Sequence, residues 1–287
     1  MSLSIHEMIP LQKSFVFIKK LLFTNNVFIS ICGIFFFSSG YLLIHKSLPS
    51  PTSASLVFWC TLLVYQINTK VKFNFLDINS YKNPDFRSDI RLLFLFVTGG
   101  VIIFHILYMD IPSILFLLHL GIISTLYNVP KKEYGSKLFP LRSIPAIKIF
   151  LISYVWSSMA SFLPALIAER QFLTGNNAQL FFGHFLFITS ITLPFDIRDF
   201  KTDDKSELIT FPHIIGINGT KLLAIICVLT FSVLFHSILN PVYLLFVVLA
   251  VVILIFNASP KKSGHYYLLY LDGTIILYFF AVFLSLK

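Results

Sequence analysis

Asp196-Ile-Arg-Asp199-Phe-Lys-Thr-Asp203-Asp204-Lys205 is joined directly to the apolar run that ends at Phe195. Of the 13 acidic residues in the chain, Asp196, Asp199, Asp203, Asp204 and Glu207 lie within the twelve positions 196–207. A carboxylate close to hydrocarbon is costly unless it is paired or holds a cation, so acidic residues there point to function. If the apolar segment continues as a helix, at about 100° per residue, Asp196, Asp199 and Asp203 fall within about 60° of one another. Three carboxylates on one face at a membrane surface make a site for a divalent cation and, through it, for an anion.

The rest of the chain is hydrocarbon-like. Of its 287 residues 56% are hydrophobic and 12% charged, against about 25% charged in an ordinary soluble domain. Apolar segments near the spanning length of about 20 residues cover 26–45, 54–68, 91–109, 111–128, 145–167, 178–196, 220–238, 240–257 and 266–285. This predicts an all-α integral membrane protein of nine transmembrane helices, the second one short. Basic residues favour cytoplasmic segments. With the N-terminus inside, only Lys46, Arg170 and Lys287 of the 22 basic residues fall on outer segments, so the charge pattern predicts a cytoplasmic N-terminus.

The net charge of +9 is dispersed over five cytoplasmic segments beside hydrocarbon. That suits membrane orientation and anionic headgroups or phosphates, and no nucleic-acid partner is expected. Residues 1–25 read as a cytoplasmic or interfacial N-terminal segment, amphipathic around Phe15 to Leu22, with no cleaved signal, and 26–287 as one transmembrane domain. Cys32, Cys60 and Cys227 sit within spans without metal spacing and read as apolar filler. His105, His119, His184 and His236 read as structural or interfacial. Asp272 falls inside the last span, where its expected partners are Lys148, Arg142 or a tyrosine. No P-loop, GxGxxG, CxxC or HExxH occurs, so ATP-driven transport, dinucleotide chemistry and zinc hydrolysis lack their usual signatures. The long loops 69–90, 129–144 and 197–219 lie on one side and carry nearly all the polar chemistry, which predicts a cytoplasmic working face.

Asp196-x-x-Asp199-x-x-x-Asp203, followed by Thr210-Phe211-Pro212 and Gly216, resembles the second aspartate-rich motif of the UbiA prenyltransferase superfamily. Tyr127-Asn-Val-Pro-Lys131 resembles that family's Tyr-x-x-x-Lys motif. The resemblance implies nine helices around a central cavity with the N-terminus inside, in agreement with the charge pattern. It also implies a first aspartate-rich motif, Asn-Asp-x-x-Asp-x-x-x-Asp. Here Asn68 remains, but Thr69, Lys72 and Leu76 replace the three aspartates, and Asp77 lies one residue out of register.

The resemblance implies transfer of a prenyl group from a prenyl diphosphate to a lipid-soluble acceptor, an aromatic ring in the family's quinone and haem pathways, at the membrane. Asp196, Asp199 and Asp203 would bind Mg²⁺, with Asp199, Asp203 and Lys131 as the catalytic set. Asn68, Lys72, Tyr127, Lys131, Arg198 and Lys205 would contact substrate, the cations as phosphate partners. The location would be the cytoplasmic membrane in a prokaryotic host. The rival readings are a non-catalytic relative that binds lipid phosphate, motivated by the lost first motif, and a small-solute transporter, for which inverted repeats or broken midplane helices would be the sign.

Overall fold

The computed structural model describes residues 26–71, 86–126, 147–167, 175–205 and 208–287, with backbone alone at 68–71, 86–94, 126, 175, 204 and 205. Among these residues there is no strand. The helices are α1 (Val27–His45), α2 (Pro51–Val71), α3 (Phe86–Ile106), α4 (Ile111–Leu126), α5 (Ile147–Ser161), α6 (Leu163–Ile167), α7 (Gly175–Lys205), α8 (Phe211–Phe235), α9 (Pro241–Asn257) and α10 (Thr274–Ser285), with a π-helical turn over Tyr266–Leu271 leading into the last.

Within the described residues each apolar segment expected from sequence overlaps a helix, the one at 145–167 divided between α5 and α6. Val27–His45, Ile147–Ile167, Asn176–Asp203, Phe211–Phe235 and Tyr266–Ser285 are long and apolar enough to cross a membrane. Pro51–Ile67, Leu95–Ile106, Ile111–Thr125 and Pro241–Asn257 are apolar but shorter. The chain is an integral membrane protein. The proposed interfacial segment, residues 1–25, lies outside the described residues.

Helix starts follow from local chemistry. Asp110 accepts the Ser113 N–H through Oδ2 at 3.1 Å and so caps α4. Asn240 Oδ1 accepts the Val242 N–H at 3.0 Å, with Pro241 opening α9. Thr210 and His213 cap α8 reciprocally, each side chain bonding the other's backbone, the arrangement of a capping box with His in the usual Glu place. Thr210-Phe211-Pro212 is therefore a helix start in its own right. α8 then breaks at Gly216, whose φ of 72° and ψ of 167° suit only glycine.

The helices close on one another in a ring. α7 lies between α5 and α8, α8 packs on α9, α9 on α10, α10 on α1, and α1 on both α2 and α5. α2 carries α3 on its flank and reaches α4, which returns to α5. The core is aromatic: Phe36, Phe187, Phe231, Phe235 and Tyr278 are fully buried around His184. With no water available there, a polar group must find its partner inside the bundle. The His184 nitrogens bond Ser161 Oγ and Tyr278 Oη, each at 2.8 Å, and this ties α5, α7 and α10 together. The other membrane histidines also join or cap helices: His105 bonds Ser55 at 3.2 Å, His119 bonds Tyr154 at 2.9 Å, and His236 reaches the Val233 carbonyl at 3.1 Å.

α1 and α5 cross at close range. A Cβ on Gly40 would lie 1.6 Å from the backbone oxygen of Ala160, so only hydrogen fits at that position. Small residues permit such approaches between membrane helices.

Candidate functional site

α7 brings the acidic cluster out of the apolar core. It is unbroken for 31 residues despite Pro194, which at 1.5 Å per residue spans about 46 Å against a hydrocarbon thickness of about 30 Å. Its last turns, which follow the apolar run and hold Asp196, Asp199 and Asp203, are more than an upright helix needs to cross that layer. The sequence expectation of a continued helix holds through Lys205. Asp196 and Asp203, seven residues apart and so on one face, are only 1% and 5% exposed, which separates this stretch from a solvated loop.

The cluster carries its own cations. Lys148 Nζ, at the start of α5, lies 3.2 Å from Asp196 Oδ1, whose side chain is 2% exposed. Arg198 donates to Asp199 twice, Nε to Oδ1 at 2.7 Å and Nη2 to Oδ2 at 2.8 Å. The same guanidinium lies 4.9 Å from the centre of the Phe195 ring and 5.6 Å from that of Tyr267. Tyr267 is fixed in turn, since its hydroxyl donates to the Ser259 carbonyl at 2.7 Å and accepts the Ser259 N–H at 3.0 Å.

Lys148, one of the three partners expected for Asp272, pairs with Asp196 instead. Asp272 lies close enough to Arg198 for the two charges to interact. Lys148→Met would leave Asp196 buried without its counter-ion, and breaking such a pair costs about 3 kcal/mol or more. We expect a lowered melting temperature in detergent for Lys148→Met, largely restored in Lys148→Met/Asp196→Asn. An unchanged melt in the single variant would remove the pair from the stability of this end of the bundle.

Among the described residues, no three His, Cys, Asp or Glu side chains are grouped to hold a metal ion. Asp196 and Asp199 each face a different cation. The donor set nevertheless suits Mg²⁺, a hard ion that takes one or two carboxylates and completes its shell with water and phosphate oxygens. Ammonium and guanidinium groups already occupy places beside these carboxylates where a bound cation would sit. Of the expected substrate contacts, Arg198 is in the cluster. Asn68 and Lys205 lie on α2 and α7 with side chains outside the described atoms, and Lys72, Tyr127 and Lys131 lie outside the described residues. Sequence reasoning missed Tyr267; its signal was a tyrosine pair, Tyr266-Tyr267, at the start of the span that holds Asp272.

A cavity of about 340 Å³ opens between α2, α3, α4 and α5. α5 lends it Ile152, Val155, Trp156 and Met159, while Lys148 and Ser153 turn toward α7. Residues of α7 do not line it. The apolar cavity and the acidic cluster are thus neighbours through α5.

No protein-family profile and no curated protein matches the sequence. Solved structures do match the fold. A UbiA homologue from Aeropyrum pernix K1 superposes with a TM-score of 0.61 at 12% identity, over 88% of this chain and 96% of that one. A digeranylgeranylglyceryl phosphate synthase matches with a TM-score of 0.57 at 16% identity, over 92% and 94%. A UbiA homologue from Archaeoglobus fulgidus, bound to GPP and Mg²⁺, matches with a TM-score of 0.56 at 11% identity, over 88% and 95%. The likeness runs along nearly the whole chain, and the fold is that of the UbiA homologues.

Proposed function

We propose that this chain with the UbiA fold is a membrane prenyltransferase, which moves a prenyl group from a prenyl diphosphate to a lipid-soluble, aromatic acceptor. The observation that carries the reading is the continuation of α7 past its apolar run, with Asp196 and Asp203 buried on one face and Lys148 and Arg198 beside them. A structure built only for membrane packing has little reason to keep this charge at the end of its longest described helix. Residues 26–287 would act as one domain with the N-terminus and the acidic cluster on the cytoplasmic side, as the basic residues suggest.

Asp196, Asp199 and Asp203 would hold Mg²⁺, which when bound offsets the charge on a departing diphosphate as a Lewis acid. Arg198 and Lys148, held in place by their carboxylates, would donate hydrogen bonds to diphosphate oxygens. Lys72, Lys131 and Lys205 would add positive charge, and Asn68 and Tyr127 would orient the donor. The apolar cavity beside α5 would keep water from the allylic cation until the acceptor attacks.

The test is release of inorganic diphosphate from geranyl, farnesyl and geranylgeranyl diphosphates by the purified, detergent-solubilised protein, with membrane lipid extract as acceptor. Release that requires Mg²⁺ and stops with EDTA is the expected result. Silence with all three donors from folded protein would favour the non-catalytic reading, which the replacement of aspartates by Thr69, Lys72 and Leu76 motivates. Diphosphate binding without turnover would then identify a lipid-phosphate-binding protein.

A further inference from the structure

The wall of the apolar cavity is closed in most places and open in one. Val57 of α2, Leu120 of α4 and Trp156 of α5 belong to it and are buried. Leu118 and Ile122 of α4 belong to the same wall, yet they are 53% and 57% exposed. α3 contributes Ile102 and Ile106, one turn apart on a single stripe, with Ile103 and Leu107 exposed next to them. Only residues 107–110 join α3 to α4, but the two helices diverge, since α3 leans on α2, and α4 on α2, α5 and α6. On its other flank α4 is tied to α5 by the hydrogen bond between His119 and Tyr154. The opening is therefore between α3 and α4, on the side that faces hydrocarbon.

The space behind the opening is long and narrow. From Ile114 to Thr125 the cavity follows α4 for about 16 Å, close to half of a hydrocarbon layer about 30 Å thick. That is the depth of one leaflet. A volume of about 340 Å³ drawn out over this length holds one chain rather than several. Its polarity is graded: Tyr65, Ser124 and Thr125 lie at the end that leads to loops 69–90 and 129–144, and Val57, Ile106, Ile114 and Leu163 at the other. There Phe37, Val57 and Leu163 pack together, with Met159 and Phe116 against them, and stop the cavity. Gly121 stands within the stretch of α4 that lines it, and an added Cβ would meet nothing within 4 Å. The wall keeps room there that the protein itself does not fill.

We propose that the cavity seats one hydrocarbon chain of a bilayer lipid, which passes in sideways between α3 and α4 with its polar head at the end marked by Tyr65, Ser124 and Thr125. A chain that moves from bilayer to cavity never crosses water and exchanges one apolar surface for another. The gain is contact with Ile152, Trp156 and Met159, which an empty cavity would leave without neighbours on that side. Two sources carry the same chemistry, a single apolar tail under a polar head: a resident phospholipid, and a prenyl-chain substrate of the proposed reaction.

The chain has two tryptophans, Trp59 and Trp156, and Trp156 is in the cavity wall. The experiment reads Trp156 emission from the full chain carrying Trp59→Phe, reconstituted in vesicles of phosphatidylcholine that is either brominated at mid-chain or unbrominated. Bromine quenches tryptophan only at close range. The brominated vesicles should therefore remove most of the emission, and a further Gly121→Phe, which fills the cavity, should bring it back. Leu115→Phe, on the exposed face of α4 outside the wall, should bring back none. Equal emission in the two kinds of vesicle, or quenching that persists in Gly121→Phe, overturns the proposal. Geranylgeranyl diphosphate then identifies the source. Recovery of emission on its addition assigns the seat to a prenyl chain, and continued quenching assigns it to the phospholipid. If Gly121→Phe is not recovered folded, the comparison of the two vesicles decides. None of these readouts needs turnover, so a shut cavity leaves the prenyltransferase reading standing, and absence of diphosphate release leaves the seat standing.

Discussion

Asp199→Asn and Asp203→Asn are each expected to lower Mg²⁺-dependent diphosphate release by roughly a thousandfold, about 4 kcal/mol in the barrier. The substitution keeps shape and removes charge. Asp203 is 5% exposed near the end of α7, and Asp199 is chelated by Arg198 one residue away, so neither change opens a cavity in the bundle core. Turnover should therefore fall without loss of expression or of melting temperature, and measuring all three separates catalysis from folding. Activity retained in both variants would remove these aspartates from the chemistry.

Gly40→Ala is expected to destabilise the bundle by about 3 kcal/mol, a fall of roughly 6 °C or more in melting temperature. The added methyl would meet the Ala160 carbonyl oxygen at 1.6 Å. A backbone atom cannot rotate away as a side chain can, so α1 and α5 must separate. The separation would spread to the buried Phe36 and Trp156 rings, whose centres are 6.0 Å apart across the same interface. Gly100→Ala on α3, where an added Cβ meets nothing within 4 Å, is the control and should change stability by no more than about 0.5 kcal/mol. Equal melts for the two variants would mean that the α1–α5 crossing is looser than its geometry.

The apolar spans were legible because hydrocarbon permits little else: an unbonded backbone is so costly there that a long apolar run must be helical. The helical course of Asp196 to Lys205 was legible for a related reason. Carboxylates at positions 196, 199 and 203 share a face only if the helix goes on. Less was readable where two distant segments meet. Lys148 and Asp196 are 48 positions apart, and only the packing of α5 on α7 joins them. The Arg198–Asp199 pair was hidden for another reason, since adjacent residues on a helix do not face each other and both side chains must curl to meet. The run Tyr-Tyr-Leu-Leu-Tyr-Leu at 266–271 reads as ordinary apolar helix, and nothing in its composition announces the i to i+5 turn that precedes Asp272. Thr210-Phe211-Pro212 shows the converse. A motif read through family resemblance also has a local task, because it caps α8.

The length of α7 makes bilayer thickness a variable for this protein. A helix about 46 Å long in a layer about 30 Å deep must tilt or project. Its neighbours α5 and α8 limit the tilt by packing along it. In a thin bilayer more of the acidic end would stand in the headgroup layer. In a thick one the same carboxylates would be drawn toward the acyl chains, where their charge is harder to keep. Hydrophobic mismatch would then tune the working height of the site, and lipid chain length would act on the protein without any lipid touching an aspartate.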